Sequence, residues 1–101
     1  MKFQLTSKDI NEIKNICREN KVKSLYLFGS ATSDKFNNKS DIDLLVDFED
    51  VPPEHYYDHY YNLKEFLKKY FKRNIDLLEA RALRNPYLIK EINLNKVLIY
   101  G

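Results

Sequence analysis

Residues 27–48 read LFGSATSDKFNNKSDIDLLVDF: Leu27-Phe28-Gly29-Ser30, ten polar-rich residues, then Asp41-Ile42-Asp43 and an apolar run to Phe48. An apolar strand runs into Gly-Ser, a polar loop follows, and a second strand opens on two aspartates one residue apart. From position 41 to 48 the pattern has period two. Ile42, Leu44, Val46 and Phe48 point one way; Asp41, Asp43, Leu45 and Asp47 point the other. Asp41 and Asp43 therefore share a face. Two carboxylates that close repel unless a cation lies between them. Mg²⁺ suits such a pair, because it is hard and is held by one or two carboxylates together with substrate phosphates. Read blandly, the pair is two solvated acids on an exposed strand. Gly29 lets backbone approach a ligand closely, and a helical turn beginning at Ser30 offers N–H groups and a hydroxyl to phosphate. Read blandly, it is a strand-ending turn.

Outward from this stretch, Val22 to Phe28 reads as the first strand, antiparallel to the second because the connection is short. Asn37 to Ser40 has turn chemistry. Upstream, Thr6-Ser7-Lys8-Asp9 is a helix start with a hydroxyl cap, and Ile10, Ile13, Ile16 and Cys17 follow at helical spacing to about Asn20. Met1 to Leu5 is a short extended lead-in. Downstream, Pro52-Pro53 stops the second strand. A second helix spans about Glu54 to Lys72, with Tyr56, Tyr60, Leu63, Leu67 and Tyr70 on its buried stripe and Phe66 and Phe71 beside it. Asn74 to Glu79 is a third strand. A helix between strands is the usual right-handed crossover, so this strand is expected parallel to the second. A short helix from Pro86 to Leu94 and an apolar tail, Lys96 to Tyr100, complete the chain.

The third strand carries Asp76 among aliphatic residues, where an acid costs free energy unless paired or bound to metal. Beside the second strand, it joins Asp41 and Asp43 on one face. Three strand carboxylates facing a phosphate loop suit phosphoryl or nucleotidyl transfer with two metal ions. The bland alternative is an ion pair with Arg73 or Arg81.

The chain has 101 residues and a net charge of +2, enough for one domain, 1–101, and too little charge to argue for nucleic-acid binding. The charge is segregated: residues 40–58 hold seven acids and no Lys or Arg, whereas residues 64–73 hold five basic residues against Glu65 alone. No apolar run approaches the roughly 20 residues of a membrane span. With no signal-peptide pattern and a single cysteine, Cys17, read as core, a cytoplasmic location is expected. His55 and His59 share a helix face, but they lack a third ligand for zinc and read as an exposed surface. Tyr56, Tyr57, Tyr60 and Tyr61 are too broad a cluster for one buried stripe, so part of it reads as a partner surface.

Gly29-Ser30, ten residues, then Asp41-Ile42-Asp43-Leu44 resembles the signature of the DNA polymerase β-like nucleotidyltransferase superfamily. Asn74-Ile75-Asp76-Leu77-Leu78 is similar to the strand with the family's third carboxylate. Residues 82–101 are similar to the ending of the minimal nucleotidyltransferases (MNT), antitoxins commonly paired with HEPN-domain ribonucleases. The resemblance implies an α/β (α+β) nucleotidyltransferase fold: a mixed three- to four-stranded sheet with helices packed mainly on one face. It implies that Gly29 and Ser30 hold the triphosphate of ATP, and that Asp41 and Asp43 bind two Mg²⁺ ions. Asp76 would complete the metal site and help deprotonate the acceptor. The implied reaction moves AMP from ATP to a hydroxyl, a tyrosine of a HEPN toxin partner, with neither membrane nor direct nucleic-acid binding. Where many members carry a small residue, Arg and Gly after Gly-Ser, this chain has Ala31-Thr32-Ser33-Asp34, leaving Lys35 or Lys39 to supply a cation. That departure keeps two other readings open: a weakly active or inactive module that neutralises its toxin by occlusion, and the nucleotide-transfer subunit of a two-chain small-molecule transferase.

Overall fold

The computed structural model describes residues 3–101, so the first two positions of the expected N-terminal lead-in lie outside the described residues. In chain order the elements are α1 (Ser7–Glu19), β1 (Val22–Phe28), a 3₁₀ turn (Gly29–Thr32), β2 (Ile42–Phe48), α2 (Pro53–Phe71), β3 (Ile75–Glu79), a second 3₁₀ turn (Ala80–Ala82), α3 (Pro86–Asn95) and β4 (Val97–Tyr100). The four strands form one sheet in the order β3-β2-β1-β4. β1 is antiparallel to both β2 and β4. β2 and β3 are parallel, as the α2 crossover requires. The sheet is mixed and four-stranded, within the three to four strands expected, and the apolar tail is one of its two edge strands.

α1 begins where its capping chemistry places it. Thr6 Oγ1 accepts from the Asp9 N–H at 3.1 Å, and Asp9 Oδ2 accepts from the Thr6 N–H at 2.9 Å. This reciprocal box satisfies two donors that the first helical turn leaves without partners. α2 starts with Pro53 at its first turn and ends at Lys72 in the left-handed conformation, φ 54° and ψ 41°. α3 is capped by Asn85, whose side chain accepts from the Tyr87 and Leu88 N–H groups.

The period-two pattern of β2 divides the core between the two faces of the sheet. Ile42, Leu44, Val46 and Phe48 join Ile13, Cys17, Leu63 and Leu67 in the main core, beneath α1 and α2. On the opposite face, Leu45 packs with Phe28 and Ile92 of α3. Two of the three helices therefore share one face. Leu63 and Leu67 of α2 are fully buried, and truncating either to Ala would cost about 2–5 kcal/mol. Of the aromatic stripe, Tyr56, Tyr60, Phe66 and Phe71 pack against this core from partly exposed positions. The rings are held by polar ends as well: Tyr60 Oη donates to the Leu77 carbonyl of β3 at 2.6 Å, and Tyr70 Oη donates to Asp9 Oδ1 at 2.7 Å. That bond to Asp9 pushes the Tyr70 hydroxyl up to about 12. Among the described residues, no helix is long and apolar enough to cross a membrane.

His59 is not a free surface ligand. Its Nδ1–H reaches Asn20 Oδ1 at 3.3 Å, while Asn20, buried at the end of α1, donates through Nδ2 to the Ile16 carbonyl. This joins α2 to the α1 terminus and leaves His55 alone on the exposed side. The tyrosine cluster splits as its breadth suggested, with Tyr57 and Tyr61 exposed and their rings stacked at 6.3 Å.

Candidate active site

Adjacent strands, central β2 and edge β3, carry the acids. In the parallel β2–β3 pair Asp43 stands opposite Asp76, and in the antiparallel β1–β2 pair Asp43 stands opposite Phe28. Phe28 is followed directly by Gly29. The loop and both strand acids therefore meet at one end of the sheet, on the face that Leu45 and Leu78 share with α3. The Asp43 carboxyl is pushed up to about 6, first by burial, then by the charges of Asp76 and Asp41, and by a hydrogen bond with Asp76. A cation held beside Asp43 would offset that repulsion and favour its ionised form.

Asp41 lies one residue before β2 and is exposed. It adds its field to Asp43 from the flank. As the side chains stand, no group of three His, Cys, Asp or Glu among the described residues converges on a metal position. The pair is Asp43 and Asp76, with Asp41 alongside. Neither arginine that could have neutralised Asp76 does so. Arg73 donates to the carbonyls of Asn37 and Ser40 at 2.9 Å each. Arg81 bonds Asp47 at 3.0 Å and the Phe48 carbonyl. The bland account of Asp76 as an ion-pair partner of these residues is thereby removed.

Gly29 is required by this geometry. Its φ is +71°, and a Cβ there would collide with Asp43 Oδ2. Only glycine combines that backbone conformation with an aspartate pressed against it. The 3₁₀ turn that follows has no side-chain cap at its start, and it is closed by Thr32 Oγ1 donating to the Gly29 carbonyl at 2.8 Å and Ser33 Oγ donating to Ser30 O. Beside it opens a cavity of about 430 Å³, lined by Gly29, Ser30, Thr32, Ser33, Lys35 and, from α3, Glu91, Ile92 and Asn95. Lys35 therefore shares the Gly-Ser cavity, whereas Lys39 lines a separate cleft. Sequence reasoning did not include α3 in the site. Its short helical signal gives no hint of position, which comes from β4 returning beside β1.

With this geometry in place, comparison with known proteins is informative. The family described as "Polymerase beta, Nucleotidyltransferase" matches residues 11–101. The chain belongs to this nucleotidyltransferase family. A Methanocaldococcus jannaschii protein named "Putative protein adenylyltransferase MJ0128" is 37% identical over 93 residues, spanning 84% of this chain and 92% of its own. Among solved structures, a chain of a toxin–antitoxin complex crystallised with AMP-PNP aligns with a TM-score of 0.71 at 24% identity, covering 92% of this nucleotidyltransferase and 73% of that chain. A chain from the tri-AMPylated Shewanella oneidensis HEPN toxin in complex with its MNT antitoxin aligns at 0.62 and 23%, covering 91% and 69%. At those identities the two structures establish a shared fold. The nucleotidyltransferase reading of the sequence agrees with the family match.

Proposed function

We propose that this nucleotidyltransferase is a magnesium-dependent protein adenylyltransferase that moves AMP from ATP to a tyrosine hydroxyl of a HEPN-type toxin, acting as its antitoxin. The observation that carries the proposal is the in-register pair Asp43–Asp76 beside Gly29. The names of the M. jannaschii relative and of the HEPN–MNT complex support the acceptor and the partner.

The donor set suits Mg²⁺: carboxylate oxygens from adjacent strands, with the Asp43 carboxyl raised first by burial and then by the charges of Asp76 and Asp41, a repulsion that a cation would offset. Asp43 and Asp76 would hold the metal, with Asp41 at its edge. When bound, Mg²⁺ would neutralise phosphate charge and favour the ionised acceptor. The remaining work falls to the chain itself. Gly29 and Ser30 receive the triphosphate, and Lys35, in the same cavity, supplies the positive charge that Ala31–Asp34 does not. The acceptor oxygen forms a bond to the α-phosphorus as the bond to the bridging oxygen breaks, and pyrophosphate leaves with that electron pair. Asp76, exposed at the rim of the pair, takes the acceptor's proton. Incubation with labelled ATP, Mg²⁺ and the HEPN partner tests this reading. Wild type should label the partner, and transfer no greater than that of Asp41→Asn/Asp43→Asn would sink it.

A second reading is favoured by the loop sequence itself: the chain neutralises its toxin by occlusion, with Tyr57 and Tyr61 as exposed contact residues. It predicts that Asp41→Asn/Asp43→Asn still protects cells from the partner. A folded double variant that no longer protects would remove it.

A further inference from the structure

A second, basic cavity lies away from the Gly-Ser loop. It is a cleft of about 590 Å³ between the C-terminal half of α2 and the turn before β2. Lys39, Lys68, Lys69, Lys72 and Arg73 line it, against two carboxylates, Asp41 and Glu65. The four lysines are exposed, and none forms an ion pair among the described residues. A helix C-terminus attracts cations on its own account, which would explain Lys68 and Lys69. It does not explain Lys39, which comes from a turn some thirty residues earlier.

That turn is built to face the helix. Asn37 Oδ1 accepts from the Lys39 N–H at 2.8 Å, and Asn37 N–H donates to Ser40 Oγ at 3.0 Å. Arg73 spans it from the other side through the Asn37 and Ser40 carbonyls, its guanidinium 4.5 Å from the Phe36 ring centre. Lys72 sits in the left-handed region, φ 54°, a position that usually selects Gly or Asn. The chain keeps a cation where glycine would relieve the backbone. Positive charge is thus brought into one concavity from two directions.

We propose that this cleft binds the phosphodiester backbone of a single-stranded nucleic acid, irrespective of base sequence. A protein partner fits the lining poorly. Interface cores are enriched in aromatic residues, Met and Arg and depleted in Lys, whereas among the described residues no apolar or aromatic side chain lines this cleft. The same lack of aromatic surface removes the stacking by which bases are held, leaving phosphate as the group recognised. The small net charge of the chain conceals the site, because fifteen acids, seven of them in residues 41–58, offset the seventeen basic residues.

The test is a fluorescence-anisotropy titration of a labelled twelve-residue oligouridylate with the full chain, without ATP, so its outcome is independent of transferase activity. Four lysine–phosphate contacts on a single strand give a slope of about −2.8 in log affinity against log salt, a loss of about fiftyfold between ~50 and ~200 mM. Lys68→Glu/Lys72→Glu should weaken binding at least about tenfold at low salt. Lys23→Glu/Lys90→Glu, an equal charge change elsewhere on the exposed surface, should retain most of it, with both variants showing the wild-type circular dichroism. Equal loss in both pairs, or none in the first, overturns the proposal. Displacement of the oligonucleotide as readily by inorganic tripolyphosphate or by an oligoglutamate peptide, at matched charge, also overturns it.

Discussion

Asp43 and Asp76 stand opposite one another across the parallel β2–β3 pair. Burial and the neighbouring acids lift the Asp43 carboxyl from 3.8 to about 6. A folded value above the unfolded one favours the protonated form. Its stabilising contribution is complete below about pH 3.8 and is lost as pH rises through about 6. In EDTA at pH 7.5, Asp43→Asn should therefore melt higher than wild type, because an amide bonds Asp76 without adding a charge. The expected rise is about 4–8 °C, the span of ~1 kcal/mol in a domain of this size. It should shrink towards zero near pH 4, and millimolar Mg²⁺ should raise the melting temperature of wild type but not of the variant. Thermal unfolding followed by circular dichroism measures both. A variant that is less stable at pH 7.5 in EDTA contradicts the account.

Gly29 tests the contact between loop and acid. Gly29→Ala meets two penalties, a left-handed backbone and a Cβ driven into Asp43 Oδ2. The first costs about 1–2 kcal/mol. The second is relieved only by moving Asp43 or the loop. The variant should fold, melt lower by about 4–8 °C per kcal/mol lost, and transfer AMP at least about a hundredfold more slowly, as misplacement of ~1 Å does elsewhere. Transfer at the wild-type rate would show that the close approach has no part in the reaction.

Much of this site is legible in the sequence. The alternation from Ile42 to Phe48 puts Asp43 on the face opposite the main core, and the parallel crossover through α2 brings Asp76 to it. What is not legible depends on long-range register. Asp41 looks like a strand residue equal to Asp43, yet β2 begins at Ile42 and Asp41 stays exposed. Whether Arg73 or Arg81 pairs with Asp76 is settled by tertiary structure: one braces the turn at residues 37–40, the other reaches Asp47. The role of α3 as a cavity wall has no local signal, since it depends on which edge β4 joins. The lysine cleft is hidden for the same reason, because Lys39 and Lys72 become neighbours only through the fold.

Lys35 offers a direct test of how the chain manages without an arginine after Gly-Ser. It lines the Gly29–Ser30 cavity, whereas Lys39 lies in the separate cleft. Lys35→Ala should weaken binding of a non-hydrolysable ATP analogue about tenfold, equivalent to ~1.4 kcal/mol. Lys39→Ala should leave it within about twofold. Calorimetric titration in the presence of Mg²⁺ separates the two. The opposite ranking would assign the phosphate cation to the other loop.

Cys17 reports on the integrity of the main core. It is fully buried in the main core together with Ile13 of the same helix, and burial pushes its thiol up to about 12 from 9.0. The neutral thiol's contribution holds below about pH 9 and is lost as pH rises towards about 12. At pH 8 the thiolate that reacts with iodoacetamide is therefore scarce as well as inaccessible. Alkylation of the folded chain should proceed only through opening, about 10³- to 10⁶-fold more slowly than in guanidinium chloride. Leu67→Ala should accelerate it by the factor its stability loss implies, about thirtyfold for ~2 kcal/mol. Tyr57→Ala, at an exposed position, should leave the rate unchanged. Mass spectrometry of the modified fraction against time gives the rates, and rapid labelling of the folded wild type would show that Cys17 is not part of the packed core.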